Sequence, residues 1–430
     1  MNLTLTPTML QGDITAINSK SDAHRKLICA ACAQSASFLP LQKPYCADII
    51  ATMQCLTALG AQFTEQEHGV QITPIDPSRQ SASPVLDCLE SGSTLRFLMP
   101  VAMAFSPCAR FIGSGRLPQR PIGALTDVMS AHGVQFSAPA LPMTAKGTLH
   151  GGEYALAGNV TSQYLSGLLM ALPHTGEDST IRLTKPLESA AYVALTCKVL
   201  REFGAEITET AEHDLPVFHI KGKCRLQPPA PLYVDGDWSN AAFFLVAGAL
   251  CAPITVHGVY ADSTQGDKAI CEILRMAGAN VTQSADRVTV APPENGTLQA
   301  FSADMREIPD LLPVLSVLAA FAEGETHLHH AARLRLKECD RLRETARLLR
   351  ALGGNVEESE DALRITGGTL RGGAADGCND HRMVMSAAIA ALRCENPVTI
   401  LGAEAVNKSY PAFFEDYQRL GGLVRPTEEV

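Results

Sequence analysis

Residues that could do chemistry are concentrated in short polar segments that each precede a long apolar stretch. One segment reads Ser19-Lys20-Ser21, and Arg25 follows Ser21 by four residues. In a helix this spacing places Ser21 and Arg25 on one face. The first turn of a helix offers unpaired N–H groups and the positive end of the dipole. The segment therefore predicts a site for a phosphate or carboxylate group, although serine is also an ordinary N-cap residue.

Five further segments have the same character and return at intervals of roughly 70 residues, a somewhat longer period than in most repeat proteins. They are Ser91-Gly92-Ser93-Thr94, Thr161-Ser162-Gln163, Asp237-Trp238-Ser239-Asn240, Ile308-Pro309-Asp310 and Asp380-His381-Arg382. Each one alone fits a helix cap. Six such helix ends, contributed by two domains, are expected to converge on one cleft.

Three loops add charges at regular places in this pattern. Arg120 stands directly before a proline, and Lys408 lies in the turn Asn407-Lys408-Ser409-Tyr410-Pro411. The segment Lys337-Glu338-Cys339-Asp340-Arg341 combines two cations with two carboxylates. Any one of these loops could be a solvated charged turn. Their joint occurrence in the repeat favours a site that binds anionic ligands.

The repeat itself predicts the elements that position these residues. The first helix of each copy is apolar nearly all round, as in residues 241–250, which indicates burial. The second is amphipathic, as in residues 341–350, and ends at a glycine that predicts a left-handed C-terminal cap. These glycines are Gly60, Gly133, Gly204, Gly278, Gly353 and Gly421. Alternating strands follow, such as that near Asn280.

These elements predict a two-domain inside-out α/β barrel, in which each domain has three β-α-β-α-β-β units around buried helices. The Pro-rich segment 227–231 and the region near Ala16 to Ser19 are the expected crossings. The predicted domains are therefore residues 19–231 and residues 1–18 with 232–430, and the second includes an N-terminal strand at Leu3-Thr4-Leu5.

Composition narrows the classes of function. Hydrophobic residues make up 46% and charged residues 19% of the 430 residues, as in globular proteins. The net charge of −10 argues against a nucleic-acid or anionic-membrane surface. We expect no secretory signal and no membrane span. The thirteen scattered cysteines, including the Cys29/Cys32 pair inside an apolar helix, are typical of reduced, buried thiols in the cytoplasm.

Taken together, these motifs give a specific resemblance. The chain resembles the enolpyruvyl transferases, and among them the 5-enolpyruvylshikimate-3-phosphate synthase family, in the same order along nearly its whole length. The Ser19-Lys20-Ser21 and Lys337-Glu338-Cys339-Asp340-Arg341 motifs are the most diagnostic. The resemblance implies transfer of the enolpyruvyl group of phosphoenolpyruvate to the 5-hydroxyl of shikimate 3-phosphate, in chorismate and aromatic amino acid biosynthesis. It also implies a monomer, and no motif indicates a nucleotide, flavin or metal cofactor.

The resemblance also implies residue roles. Asp310 would accept or orient the hydroxyl proton, Glu338 would exchange the proton at C3, and Lys20 completes the catalytic set. The shikimate 3-phosphate ligands would be Lys20, Ser21, Arg25, Thr161, Ser162, Gln163, Ser189, Tyr192, Asp310 and Lys337. The phosphoenolpyruvate ligands would be Lys20, Gly92, Arg120, Gln163, Arg341, Arg382 and Lys408.

Three alternatives remain to be weighed. UDP-N-acetylglucosamine enolpyruvyl transferase shares the fold and donor but usually carries a cysteine in the loop that aligns with Gly113 to Arg120, where this chain has none. An inactive, ligand-binding relative is disfavoured because both carboxylates and the donor-binding cations are present. A metal enzyme built on His327-Leu328-His329-His330 is disfavoured because no carboxylate or cysteine is spaced with these histidines, and an ordinary strand is the preferred interpretation.

Overall fold

The computed structural model describes residues 1–427, which divide into two compact units. The N-terminal unit comprises Asn18–Val234, and the C-terminal unit comprises Met1–Ile17 with the chain from Asp235 onward. Each unit has its own cluster of buried apolar side chains. A continuous core of this kind in each unit is what lets it hold its polar helix ends in place.

The elements follow the chain in a regular order. The α-helices are α1 Lys20–Ala31, α2 Ala47–Ala58, α3 Gly92–Phe105, α4 Gly123–Ser130, α5 Ser162–Ala171, α6 Ala190–Glu202, α7 Trp238–Leu250, α8 Ile270–Met276, α9 Leu312–Ala320, α10 Arg341–Ala351, α11 His381–Ala391 and α12 Phe413–Arg419. The strands are β1 Leu3–Thr6, β2 Gly12–Thr15, β3 Ser37–Pro40, β4 Gln62–Gln66, β5 Gly69–Thr73, β6 Val85–Asp87, β7 Cys108–Ile112, β8 Val134–Phe136, β9 Met143–Gly147, β10 Gly152–Ala157, β11 Ser179–Lys185, β12 Ile207–Glu212, β13 Leu215–Ile220, β14 Ile254–His257, β15 Asn280–Gln283, β16 Arg287–Ala291, β17 Ser302–Asp304, β18 Glu325–His329, β19 Asn355–Glu358, β20 Leu363–Thr366, β21 Gly373–Asp376, β22 Val398–Leu401 and β23 Leu423–Pro426.

Each repeat forms one small mixed sheet. In the complete copies a parallel strand pair is joined across the first helix, and an antiparallel hairpin follows the second helix. The sheet orders are β3-β5-β4, β6-β7-β9-β8 and β10-β11-β13-β12 in the N-terminal unit, and β15-β16-β14-β2, β17-β18-β20-β19 and β21-β22-β1-β23 in the C-terminal unit. The predicted α/β repeat is therefore confirmed.

Two strands, rather than the single one expected, come from the first residues of the chain. Strand β1 lies between β22 and β23 and is antiparallel to both. Strand β2 pairs in parallel with β14, with Ile14 opposite Val256. The sequence gives a weak signal for β2 because Ile14 is its one buried residue.

The first helix of a repeat is buried as predicted. All residues of α7 are buried, and so are all residues of α9. In α10, by contrast, Leu342, Ala346 and Leu349 lie in the core while Arg343 and Arg347 are exposed. The apolar first helices thus form the interior, and the amphipathic second helices cover them.

The glycine that follows each second helix has the predicted left-handed conformation. Its φ angle lies between 86° and 106° in all six copies, a region that favours glycine. In the copy at Gly353, the N–H groups of Gly353 and Gly354 donate to Arg350 and Leu349 carbonyls, so the helix end is satisfied. The strand that follows Gly354 is β19, as the alternation predicts.

The structure of residues 1–427 can be compared with two expectations from the composition, which concern membrane-spanning helices and cysteines. Among residues 1–427, no helix combines the length and apolar character that a membrane crossing requires. All thirteen cysteines lie in this part of the chain as free thiols, and nine of them, including Cys29 and Cys32, are buried. Burial raises the pKa of the Cys29 thiol to about 12.

Candidate active site

The polar segments cap the helices that they precede. The side chains of Ser19, Ser91, Thr161, Asp237 and Asp380 each accept a backbone N–H from the first turn that follows. The segment at Asp310 differs, because it forms a short 3-10 helix before α9. Capping and ligand binding are compatible at such positions, since a cap satisfies one N–H and leaves others of that turn directed outward.

In the N-terminal unit, Lys20 lies in the first turn of α1 and forms an ion pair with Asp48 of α2. The Nζ–Oδ2 distance is 2.8 Å, and both side chains are mostly buried. The carbonyl of Asp48 accepts the hydroxyl of Thr94 in α3. Asp48 thus links the first turns of α1 and α3, and it holds the Lys20 ammonium group at a fixed place.

Arg25 is directed into the protein rather than into solvent. Its Nε donates to the hydroxyl of Thr196 at 2.7 Å, its Nη1 to the Ser21 carbonyl at 2.6 Å and its Nη2 to the Tyr192 carbonyl at 3.0 Å. Its guanidinium also lies over the ring of Phe97. Burial lowers the pKa of Arg25 to about 10, while Asp22 opposes that shift. Arg25 therefore fixes the backbone at both Ser21 and Tyr192.

Gln163 joins the openings of α3 and α5. Its Oε1 accepts from Nη1 of Arg96 at 2.6 Å, and its Nε2 donates to the Ser93 hydroxyl at 2.9 Å. Arg96 is buried and also donates to the carbonyl of Pro121. The amide of Gln163 is held in one orientation by these two contacts, because the donor and the acceptor occupy opposite ends.

Arg120 reaches across to the start of α3 and lies against Gly92. A Cβ atom added to Gly92 would come within 2.7 Å of Nη1 and 2.8 Å of Cζ of Arg120. Only a residue without a side chain leaves room for the guanidinium at this position. The predicted donor-binding residues Gly92 and Arg120 are thus adjacent, and the structure brings both to the N-terminus of α3.

Thr161, Ser162, Ser189 and Tyr192 lie at the openings of α5 and α6. Ser189 is buried and has a left-handed backbone, with φ at 56°, which is strained for a residue other than glycine. Its carbonyl accepts the N–H of Tyr192. A hydrogen bond of 2.8 Å between Thr196 and Ser166 ties α6 to α5. The predicted acceptor-binding residues of this unit therefore share one hydrogen-bonded framework.

In the C-terminal unit, Arg341 is the centre of a compact ion-pair cluster. Its Nη1 donates to Asp310 at 2.8 Å, its Nη2 to Glu338 at 2.6 Å and its Nε to Asp380 at 2.7 Å. Only 2% of its side chain is exposed. The charge-assisted hydrogen bonds raise the pKa of Arg341 against the opposing effect of burial. Both predicted catalytic carboxylates of the unit are therefore bound to one guanidinium.

Asp310 has three cationic neighbours. Oδ1 accepts from Lys337 at 3.3 Å as well as from Arg341, and Oδ2 accepts from Arg382 at 3.2 Å. Burial alone would raise the pKa of Asp310, but Arg382, Lys337 and Arg341 outweigh burial and lower it well below its usual range. Asp310 is thus ionised at neutral pH.

Arg382 and Lys408 are held by groups at the opening of α11. Arg382 is buried and donates to the Ser239 hydroxyl at 2.9 Å, next to its contact with Asp310. Lys408 donates to the carbonyl of Asn379 at 2.6 Å, one residue before the N-cap Asp380. The structure thus gathers Asp310, Lys337, Glu338, Arg341, Arg382 and Lys408 around the ends of α9, α10 and α11.

Four residues that hold this machinery were not given site roles by the sequence analysis. They are Asp48, Arg96, Ser239 and Asp380, each of which contacts a predicted ligand directly. Asp380 could have been found from the sequence, since it lies in one of the polar segments that precede an apolar helix. Asp48 could not, because it lies in the second helix of a repeat, which the repeat pattern assigns to the outer layer.

The structure also corrects one expectation about the histidine run. Strand β18 is present as predicted, but the histidines do have a carboxylate partner, Asp304. Asp304 lies opposite His329 in the parallel pair of β17 and β18. The expectation was wrong because parallel pairing joins residues 25 positions apart, counted from 304 to 329, which local spacing does not reveal.

Comparisons with known proteins agree with this architecture. A solved structure of EPSP synthase from Acinetobacter baumannii matches with a TM-score of 0.81 and 25% identity and covers 100% of both chains. Curated proteins named 3-phosphoshikimate 1-carboxyvinyltransferase match from Clostridium acetobutylicum, at 40% identity over 98% of this chain and 97% of that protein, and from Clostridium novyi, at 37% over 98% of each.

The model of one family spans most of the chain. The family described as EPSP synthase (3-phosphoshikimate 1-carboxyvinyltransferase) matches residues 5–417. The chain therefore belongs to the EPSP synthase family, and the resemblance found in the sequence motifs is confirmed.

Proposed function

We propose that this chain transfers the enolpyruvyl group of phosphoenolpyruvate to the 5-hydroxyl of shikimate 3-phosphate. The hydroxyl oxygen bonds to C2 as its proton leaves, and C3 gains a proton to give a tetrahedral adduct. C3 then loses a proton as the C2–O bond to phosphate breaks. The products are 5-enolpyruvylshikimate 3-phosphate and phosphate, and the reaction belongs to chorismate and aromatic amino acid biosynthesis.

The observation that carries this proposal is the cluster around Arg341, in a chain that belongs to this family. The reaction needs one group at the hydroxyl and another at C3, in a setting that binds carboxylate and phosphate. Asp310 and Glu338 provide two carboxylates, and Arg341 and Arg382 provide buried guanidinium groups.

The pairing of Asp310 gives it a means of activation. A low pKa makes a weak base, yet two of the three cations that lower it, Arg382 and Arg341, are proposed ligands of phosphoenolpyruvate. When the donor's anionic groups take up hydrogen bonds from Arg341 and Arg382, Asp310 loses part of its stabilisation. Its pKa then rises, so it becomes a better acceptor for the hydroxyl proton when the donor is bound.

Glu338 is the proposed acid and base at C3. The hydrogen bond from Arg341 Nη2 fixes its carboxylate, and 18% of the side chain is exposed, so the carboxylate has access to a bound ligand. The same group first gives a proton to C3 and later removes one, which needs a position that does not change between the two steps. Lys337, beside it in sequence, holds Asp310 and is the proposed acceptor-side ligand.

In the N-terminal unit, we assign the proposed roles according to the helix N-terminus at which each residue lies. Lys20 is the proposed catalytic cation, and Ser21 and Arg25 bind the acceptor carboxylate, while Arg25 also keeps the backbone of Ser21 in place. Gly92 and Arg120 bind the donor, and Gln163 is oriented to bind it too. The acceptor phosphate is assigned to Thr161, Ser162 and Ser189, with Tyr192 beside the ring.

We further propose that the protein works as a monomer in the cytoplasm. The family resemblance supports the monomer. The thirteen free thiols support a reducing compartment, where such cysteines persist without forming disulfides.

The test is phosphate release by the purified protein with phosphoenolpyruvate and shikimate 3-phosphate, run beside UDP-N-acetylglucosamine as the acceptor. Release with shikimate 3-phosphate alone is expected. Release with the sugar nucleotide alone would reassign the acceptor, and no release with either would indicate an inactive ligand-binding relative. Omission of phosphoenolpyruvate controls for contaminating phosphatase.

A further inference from the structure

A group of potential metal ligands lies in the C-terminal unit and has no part in the proposed reaction. It consists of Asp304 at the end of β17 and His329 and His330 at the end of β18, and their ligand atoms all lie within 4.8 Å of one another. We propose that these three residues bind a divalent transition-metal ion such as Zn²⁺ or Ni²⁺.

The distances match those that such an ion requires. Nδ1 of His329 lies 2.9 Å from Nδ1 of His330, and the latter lies 3.0 Å from Oδ2 of Asp304. Two ligands bonded at about 2.1 Å to one ion, with angles between octahedral and tetrahedral, are about 3.0–3.4 Å apart. These two distances therefore fit ligation of a single ion, and the third pair of ligand atoms lies within 4.8 Å.

Asp304 is well supplied with hydrogen bonds by Arg306, but the two imidazoles are not well satisfied by hydrogen bonding alone. The carboxylate of Asp304 only accepts, so the contact with His330 requires a hydrogen on Nδ1 of His330. Nδ1 of His329 lies 2.9 Å from the same nitrogen of His330, so a hydrogen bond between the two rings would have to share that one hydrogen with Asp304. An ion at the point where the three atoms converge would bond to each of them at once.

The backbone fixes the group from both strands. The N–H of Met305 donates to the His329 carbonyl, and the N–H of Ala331 donates to the Asp361 carbonyl. His330 has a left-handed backbone, with φ at 58°, and this turn lets neighbouring residues direct their imidazoles to one place. The ligands are thus held at the ends of two paired strands rather than on a flexible loop.

The surroundings of these three ligands allow an ion to enter. Neighbouring residues could attract the ion and orient the Asp304 carboxylate. His329 and His330 line a cavity of about 520 Å³ that also includes Glu357 and Asp361, whose negative charges attract a cation. Arg306 donates to both oxygens of Asp304, at 3.1 Å to Oδ1 and 2.9 Å to Oδ2. Its Nη2 also donates to Oδ2 at 2.5 Å, so an ion bonded to Oδ2 would share that oxygen with Arg306, while the Nε and the backbone N–H of Arg306 hold Oδ1 and orient the carboxylate.

The donor set selects the class of ion. Two imidazole nitrogens and one carboxylate suit Zn²⁺, Ni²⁺, Co²⁺ or Cu²⁺, whereas Mg²⁺ and Ca²⁺ prefer oxygen ligands alone. Three protein ligands leave positions for water. Because imidazole nitrogen is needed in its neutral form, binding should weaken as the pH falls.

Calorimetric titration of tag-free, metal-stripped protein with Zn²⁺ and separately with Ni²⁺ tests the proposal. One equivalent should bind, and Mg²⁺ should give no heat. The variants His329→Ala, His330→Asn and Asp304→Asn should each weaken binding by more than about tenfold. Asparagine is used at residue 330 because it tolerates the left-handed backbone.

His257→Gln is the matched control, since His257 pairs with Asp13 at 2.9 Å on another sheet of the same unit and is not part of a three-ligand group. It should leave the titration unchanged. Absence of binding to the parent protein, or equal weakening by the control, would overturn the proposal. A Co²⁺ spectrum dominated by thiolate ligation would overturn it too, because the proposed ligands contain no sulfur.

Discussion

Asp380 accepts the Nε–H of Arg341 at 2.7 Å and, through its other oxygen, the backbone N–H of Arg382 at 2.9 Å. Its side chain is fully buried. A single carboxylate therefore caps α11 and orients the guanidinium that holds Asp310 and Glu338. The capping role and the charge-pairing role can be separated, because asparagine caps a helix about as well as aspartate.

We expect Asp380→Asn to destabilise the C-terminal unit and weaken donor binding. The variant keeps an acceptor for the helix cap but leaves the buried Arg341 with less negative charge, at a cost of roughly 3 kcal/mol in unfolding free energy. The KM for phosphoenolpyruvate should rise by about tenfold or more, equivalent to about 1.4 kcal/mol. Denaturant unfolding and steady-state kinetics measure the two effects.

Asp340→Asn is the matched control for this variant. Asp340 also caps a helix, α10, but its carboxylate pairs with Arg335 and Arg343, whereas Arg341 pairs with Asp310, Glu338 and Asp380. Replacement of Asp340 should change stability by about 1 kcal/mol or less. Equal effects of the two substitutions would mean that Arg341 is oriented without Asp380.

Glu338→Gln should lower turnover far more than binding. Glutamine retains an oxygen that accepts from Arg341, but it cannot exchange a proton with C3, so kcat should fall by about 10²–10⁴-fold. The Kd for phosphoenolpyruvate, measured by fluorescence with shikimate 3-phosphate present, should change little. Glu344→Gln provides the control, since Glu344 pairs with Arg347 at the same three-residue spacing but lies within α10. Unchanged turnover in Glu338→Gln would remove Glu338 from the acid/base role.

Gly92→Ala should displace Arg120 and weaken donor binding. The added methyl group would lie within 3.0 Å of three guanidinium atoms, so Arg120 must move from its present position. We expect the KM for phosphoenolpyruvate to rise by at least about tenfold while the KM for shikimate 3-phosphate changes less. Gly123→Ala is the control, because Gly123 also begins a helix but has open space where its Cβ would lie. A crystal structure of Gly92→Ala with Arg120 unmoved would contradict the geometric argument.

His174 should make the N-terminal unit less stable in mild acid. Burial lowers the pKa of His174 to about 4, and its Nε2 has no hydrogen-bond partner among the described residues. The unfolded chain takes up a proton near pH 6.5 while the folded protein does not, so unfolding becomes easier as the pH falls from 6.5 towards 4. Between pH 7.5 and pH 5 the loss from this residue is up to about 2 kcal/mol.

The variant His174→Phe tests this because it keeps the ring that packs against Phe105. Its unfolding free energy, from urea titrations at pH 7.5 and pH 5, should fall less on acidification than that of the parent protein. His68→Phe changes an exposed histidine and should fall as the parent does. Parallel losses in the parent and in His174→Phe would show that His174 takes up a proton without unfolding.

Most of the fold could be predicted from periodic features of the sequence. Sequence patterns predicted apolar helices, amphipathic helices that end at a glycine, and alternating strands. The structure contains each of these elements, as at Gly353 and β19. Strand β2 was missed because its four residues hold one buried side chain, so its place depends on pairing with β14 rather than on its own pattern. Long-range pairing of this kind leaves no local trace.

The candidate active site likewise contains residues that could be predicted from local sequence motifs and residues that could not. Motifs identified Asp310, Glu338 and Arg341, and the structure places them in direct contact. The residues that orient the charged side chains of the site were harder to predict. Ser239 and Asp380 also suit ordinary helix caps, and the sequence does not indicate which buried charged side chain each of them will contact. Asp304 required knowledge of strand register, which spacing along the chain does not contain.

The origin of β1 and β2 sets an order for assembly during synthesis. The C-terminal unit needs these first strands, yet β14 and β22, which pair with them, are translated much later. At about 5–20 residues per second, β1 waits on the order of 20–80 s before β22 exists. The N-terminal unit can fold during that interval, while β1 stays unpaired with its eventual sheet. A ribosome-bound chain ending before residue 398 should therefore expose β1 to proteases although Asn18–Val234 is already protected.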